Sequence, residues 1–319
     1  MAKTKPNQCM RTLLLGLGAT AITLAACSRM KEEVNPETSA TIDTAVTTPR
    51  EHSELDANGW ACPNNPLTAS MVLIPMPDGK PYCIDERITT LGEYMRFVRE
   101  KGSDFHDQPS ECSENKDYWP VEHDPFAVEF RMIEPVATAN PDIAASCLDF
   151  CDAWAYCAWA GKRLCGKRGI EPGKVMVVDA HDAESQRRDD EDFSRSLNNE
   201  WFNVCSQGGS SKYPYGNTHT EGLCREHARL DAQRRDILLV RDTTGNKCHG
   251  THPPYDRVYD MRGHVGEWIN YCVSDGGCAI QDDVVGGSCE TSFGRIATLW
   301  PAAGVRCCAD AIPDNKANP

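Results

Sequence analysis

Seventeen cysteines in a chain of 319 residues constrain this sequence more than any other feature. So many thiols would be a redox liability in a reducing cytosol, so they imply an oxidising compartment or a metal-rich protein. The metal alternative fares poorly at its best cluster, Cys147-x3-Cys151-x5-Cys157-x7-Cys165, whose spacing lacks the paired C-x2-C knuckles of structural zinc sites. Disulfides are therefore expected to hold the fold together. Cys272-Val-Ser-Asp-Gly-Gly-Cys278 is the best local pair, because the Asp-Gly-Gly turn brings its ends together. The vicinal Cys307 and Cys308 are expected to reach two different partners rather than form a strained ring with each other.

The N-terminus reads as an address. Lys3, Lys5 and Arg11 precede an apolar stretch from Thr12 to Leu24, the n-region and h-region of a secretory signal. At thirteen residues that stretch is too short to span a bilayer of about 30 Å as a helix. Leu24-Ala25-Ala26-Cys27 resembles the lipobox of bacterial lipoproteins, in which the cysteine is lipidated and becomes the mature N-terminus. The alternative is an ordinary cleavage site with an incidental cysteine. Ser28 resembles the sorting signal for an outer membrane. A signal peptide over 1–26 is thus expected, with Cys27 lipidated and the product held at the cell envelope. Cys9 then leaves with the signal and Cys27 with the lipid, so 15 cysteines remain. That odd number allows up to seven bridges and requires at least one further thiol.

The formal net charge of −14 falls to −17 once the three signal-peptide cations are lost, leaving no excess of cations to neutralise phosphates along a polymer. Nucleic acid is excluded as a partner. Residues 27–58 are rich in Glu, Thr, Ser and Pro, lack aromatic residues and read as a flexible tether. A folded region is expected over 59–311, followed by a polar tail at 312–319. Inside it, Met71–Ile74 reads as a strand stopped by Pro75. Thr90 and Glu93 form a capping box for a helix over 91–100, and the clearest helix lies between Ser146 and Gly161. Elsewhere Gly, Pro, Asn and Asp punctuate short apolar runs, which predicts short strands joined by long ordered loops. His249-Gly-Thr-His252 lacks a matching carboxylate or thiol and reads as a loop feature.

Five segments in order resemble the formylglycine-generating-enzyme, or sulfatase-modifying factor, family. They are MVLIP at 71–75 with YCIDERITTLGEYMRF at 82–97; DAWAYCAWAGKRL at 152–164; EWFNVCSQGG at 200–209 with YPYGN at 213–217; YDMRGHVGEW at 259–268; and VVGGS at 284–288 with AGVRCCA at 303–309. The resemblance implies an α+β, C-type-lectin-like fold with little regular secondary structure and several disulfides. It also implies a bridge between Cys157 and Cys307, and another from Cys205 to a partner that Cys289 or Cys308 must supply. By the same resemblance, a structural calcium ion would be held by the side chains of Asp260 and Glu267 and the carbonyls of Gly263 and Val265. Oxygen ligands of that kind suit a hard cation. The alternative for this loop is a surface turn with one carboxylate capping backbone N–H groups. His264 and Gly266 replace the Asn and Trp usual in that loop.

Oxidases of that family place two cysteines after a Gly-Gly-Ser segment, and the paired thiolates bind copper(I). Counting from Gly286-Gly287-Ser288, those positions hold Thr291 and Ile296, and Cys289 sits two residues too early. Iron-dependent relatives carry ligands on an additional N-terminal domain, where this chain has only its tether. Neither copper nor iron is expected. The leading expectation is an envelope-anchored domain that binds a protein, glycan or peptidoglycan partner. An oxidase with a rearranged site, using Ser288 and Cys289 with Cys308 or a histidine, is the alternative. A structural or maturation accessory acting on periplasmic cargo is a third.

Overall fold

The computed structural model describes residues 59–120, 141–171, 173–179, 182–224, 247–263, 265–274, 277–281, 287–291, 293–296 and 303–313. Cys27, the signal peptide and the 27–58 tether lie outside the described residues. Helix α1 (Leu91–Lys101) starts at Thr90, whose hydroxyl accepts from the Glu93 N–H at 3.3 Å while the Glu93 carboxylate accepts from the Thr90 N–H at 2.9 Å. Both halves of the capping box are present, a device that contributes about 1 kcal/mol. Its buried face, Leu91, Tyr94, Met95 and Val98, recurs at helical spacing.

Helix α2 (Phe150–Trp159) is shorter at its start than the pattern suggests. Asp149 caps it, accepting from the Asp152 N–H at 2.8 Å, and Cys147 stands at φ 61°, a left-handed conformation that no helix can contain. Tyr156 meets Phe97 of α1 edge-on with ring centroids 5.7 Å apart, and Tyr94 and Trp159 join the same cluster. Large apolar side chains buried this way stabilise the fold by roughly 1.5–3 kcal/mol each. Two further helices follow, α3 (Ala183–Ser194) and α4 (Glu200–Cys205).

Three small sheets occur among the described residues. In the first, β2 (Met71–Ile74), β3 (Tyr82–Asp85), β10 (Cys307–Asp310) and β4 (Arg163–Leu164) lie side by side in that order, all antiparallel. In the second, β6 (Gly266–Val273) pairs antiparallel with β7 (Gly277–Gln281), which pairs with β8 (Phe293–Ile296). The short strands β5 (Val177–Val178) and β9 (Ala303–Gly304) run parallel to β6. Every residue of β6 is buried, as expected for a strand covered on both faces. Gly304 permits the approach there: a Cβ would sit 2.3 Å from the Ala145 carbonyl oxygen. In the third, β1 (Trp60–Ala61) pairs with β11 (Ile312–Pro313), so ordered structure continues two residues into what the composition marks as tail. Few long elements and much ordered loop make this a mixed helix-and-strand fold of low regularity.

Among the described residues, seven disulfides take the place of long elements: Cys62–Cys83, Cys112–Cys151, Cys157–Cys307, Cys165–Cys308, Cys205–Cys289, Cys224–Cys248 and Cys272–Cys278. Buried Cys147 keeps its thiol, which accounts for the odd residue of the 15. The vicinal cysteines diverge because neighbours on β10 point to opposite faces, one towards α2 and one towards the segment after β4. No helix among the described residues is long and apolar enough to cross a membrane.

Candidate functional site

The Gly287-Ser288 segment leads into a 3-10 turn, Cys289–Thr291, which two contacts hold in place. Cys289 is bonded to Cys205 at the end of α4, and its N–H donates to the Lys212 carbonyl at 2.9 Å. Asn199 caps α4 through the N–H groups of Trp201 and Phe202 at 3.1 and 3.3 Å. The helix thereby presents Cys205 to the turn. This corrects the assignment of Cys289 as a metal-binding or catalytic thiol: its sulfur is spent in a bridge, and so is that of Cys308. A thiolate, not a disulfide sulfur, is the nucleophile and soft-metal ligand. Ser288 is half-buried beside that bridge. Thr291 closes the turn and Ile296 closes β8; their side chains lie outside the described residues.

The second cluster surrounds Glu267, at the second residue of β6. Its Oε1 accepts from Arg306 Nε and Nη2 at 3.1 and 2.9 Å; its Oε2 accepts from Arg306 Nε at 3.0 Å and from the Trp201 indole N–H at 2.8 Å. Both partners are essentially without solvent exposure. Arg306 also donates to the carbonyls of Asp85, Tyr259 and Asp260 at 3.1, 2.8 and 3.3 Å. One guanidinium thus ties β3, the 259–260 loop and β6 together.

This arrangement does not fit a calcium ion at Glu267. Its two oxygens already accept from three N–H groups, with the Arg306 Nε–H shared between them, and the compensating positive charge is the guanidinium rather than a cation. Asp260 is buried at φ 55° with its N–H donating to the Cys248 carbonyl at 2.7 Å, while Gly263 turns the chain at φ 81° and Val265 packs with Ile88 and Ala144. The loop is a structural crossing built on Arg306. Sequence reasoning passed over that arginine because nothing local distinguishes a buried Arg from a solvated one.

Another ionic cluster centres on Asp85, the last residue of β3. Lys162 Nζ donates to Asp85 Oδ1 at 2.5 Å and to the Ala69 carbonyl at 2.8 Å, and the Cys307 N–H donates to Asp85 Oδ2 at 3.0 Å. Burial pushes the Asp85 carboxyl up, against the pull of Lys162 and the Cys307 N–H. Beside it, Arg163 forks onto Glu200 with both contacts at 2.7 Å and reaches Asp310. At the start of α2, burial and the charge of Asp149 hold the Asp152 carboxyl well above its ordinary range. His249 meets Tyr259 edge-on in a loop, 5.5 Å between centroids. Among the described residues, no group of three or more His, Cys, Asp or Glu side chains is arranged to hold a metal ion.

The model of the sulfatase-modifying factor enzyme 1-like domain matches residues 76–298. Among solved structures, the chain is similar to PvdO from Pseudomonas aeruginosa at 16% identity, covering 76% of this chain and 92% of that one with a TM-score of 0.37. It is also similar to CarF at 15% identity, covering 72% and 86% with a TM-score of 0.40. No curated protein sequence matches it. Since the family match takes in well over half of the sequence, the chain belongs to the sulfatase-modifying factor enzyme 1-like family.

Proposed function

We propose that this protein is an envelope-anchored lipoprotein whose sulfatase-modifying-factor domain binds an extracytoplasmic partner and does not carry out copper-dependent oxidation of cysteine. One observation carries the second half of this reading. The thiol closest in sequence to the Gly-Gly-Ser segment is bonded to Cys205, and the family's two thiolate positions are held by Thr291 and Ile296. An oxidase that used Cys289 as ligand would have to open that bridge first. The first half is supported by the lipobox at Leu24–Cys27 and by seven disulfides, which form in oxidising compartments. A protein, glycan or peptidoglycan is the partner class such a scaffold would serve.

The test of the chemistry is copper(I) titration of the oxidised protein, followed by incubation with O2 and a Cys-x-Pro-x-Arg peptide. The expected outcome is no stoichiometric copper binding and no loss of the peptide thiol; robust conversion overturns the reading. For the anchor, Cys27→Ser is expected to move the protein from the membrane to the soluble envelope fraction. Mass spectrometry of the wild-type N-terminus should find acyl chains on Cys27. An unmodified N-terminus would refute lipidation.

A further inference from the structure

Residues 162–174 (KRLCGKRGIEPGK) carry five cations and one acid in a chain whose acids outnumber its bases 47 to 33. Three of the five are spent inside the fold. Lys162 is paired with Asp85, Arg163 with Glu200 and Asp310, and Arg168 with Asp78 at 3.2 Å. Lys167 and Lys174 are exposed, neither forms an ion pair among the described residues, and both line one cleft, together with half-buried Trp154 and Ile170. Trp154 supplies part of the apolar wall and an intrinsic fluorophore beside the two lysines. Glu171 stands at the cleft as its one acid.

The frame that holds these groups is pinned on both sides. Asn270 of β6 accepts from the Met176 N–H at 2.9 Å and donates to the Lys174 carbonyl at 2.9 Å, fixing the backbone that bears Lys174. On the other side, the Gly166 N–H donates to Glu200 at 3.1 Å, and Gly166 packs so tightly on Asn270 that a Cβ would fall 2.9 Å from that side chain. The backbone entering Lys167 is therefore fixed as well. With the backbone fixed, only the two lysine side chains have to be ordered when a ligand arrives. The cavity volume is about 60 Å³. At roughly 10–15 Å³ per water, it holds about four to six waters, enough for an anionic head group.

We propose that this cleft binds the phosphate group of a phosphomonoester. Arg163 also lines the cleft, but its fork is taken by Glu200, so the charges left for a ligand are two separate ammonium groups, which suit a compact tetrahedral dianion better than a planar carboxylate. The inference involves none of residues 287–291 and stands whether or not the domain oxidises cysteine.

The test is calorimetric titration of the full-length protein with inorganic phosphate at low ionic strength, with tryptophan fluorescence as a second readout. A Kd on the order of 1 mM is expected for the bare anion. Lys167→Gln combined with Lys174→Gln should weaken binding at least about tenfold, the loss of two screened point charges at a partly enclosed site. Lys116→Gln combined with Lys247→Gln, at exposed lysines remote in sequence, should leave it unchanged. Glycerol 3-phosphate in solution and phosphatidic acid in vesicles then distinguish a soluble ligand from a lipid head group. Equal affinity in the two double variants, absence of saturable phosphate binding, or acetate binding as tight as phosphate would each overturn the proposal.

Discussion

Cys307 and Cys308 send their bridges to Cys157 and Cys165, so loops of 150 and 143 residues are closed at practically the same point. Chain entropy makes the two bridges redundant in a measurable way. With either one in place, the other closes only the short path between Cys157 and Cys165, about ten residues, which is worth about 2.7 kcal/mol. With both removed, the next shortest path runs through Cys205–Cys289 and spans about 60 residues, worth about 4.3 kcal/mol for the first closure. Replacing either pair by alanine should thus cost about 2.7 kcal/mol from this source, and replacing both about 7 kcal/mol. The coupling is about 1.6 kcal/mol. Costs of truncating buried sulfur cancel in the cycle. The assay is urea denaturation of wild type, the two double-alanine variants and the quadruple variant, in sucrose so that the weakest of them folds. A quadruple variant no worse than the sum of the two pairs would refute the shared-closure reasoning.

Three other outcomes test the ionic architecture. Because burial holds the folded Asp152 carboxyl above its unfolded value of 3.8, the native state binds the extra proton and stability declines as pH rises through that interval. Asp152→Asn should accordingly raise the urea midpoint at pH 7.5, with the gain vanishing as pH falls towards 3.8; a gain independent of pH would remove the argument. Arg306→Met strands the Glu267 carboxylate in the core and should cost about 3–5 kcal/mol, much of it recovered when Glu267→Gln is added; no recovery would show that packing, not charge, sets the cost. Chelation by EGTA should leave the unfolding midpoint where it was, since Glu267 is saturated by Arg306 and Trp201, and a clear downward shift would restore calcium to the 260–267 loop.

Local chemistry was readable from the chain itself. The Thr90–Glu93 box, the strand stopped at Pro75, the two different partners of Cys307 and Cys308 and the odd cysteine all follow from neighbours in sequence or from counting. Periodicity failed where a single backbone angle intervened: apolar spacing carries the second helix back to Ser146, but Cys147 in the left-handed region and the Asp149 cap start it at Phe150. Composition likewise missed β11, whose two residues are ordered by backbone pairing with Trp60 and Ala61 at the far end of the domain.

The candidate site divides along the same line. Spacing after Gly-Gly-Ser is a property of the sequence, and it puts Thr291 and Ile296 where the resemblance implies a pair of thiolates. Which sulfur meets Cys205, and that Glu267 meets a guanidinium, depend on residues separated by 84 and 39 positions brought together in the fold. The number of thiols, the short-range caps and the residues available after Ser288 need only adjacency, and so could be read along the chain. The tertiary structure decided how charges and sulfurs pair, because burial strips away water and leaves each buried ion or thiol only the partners the fold brings within bonding distance.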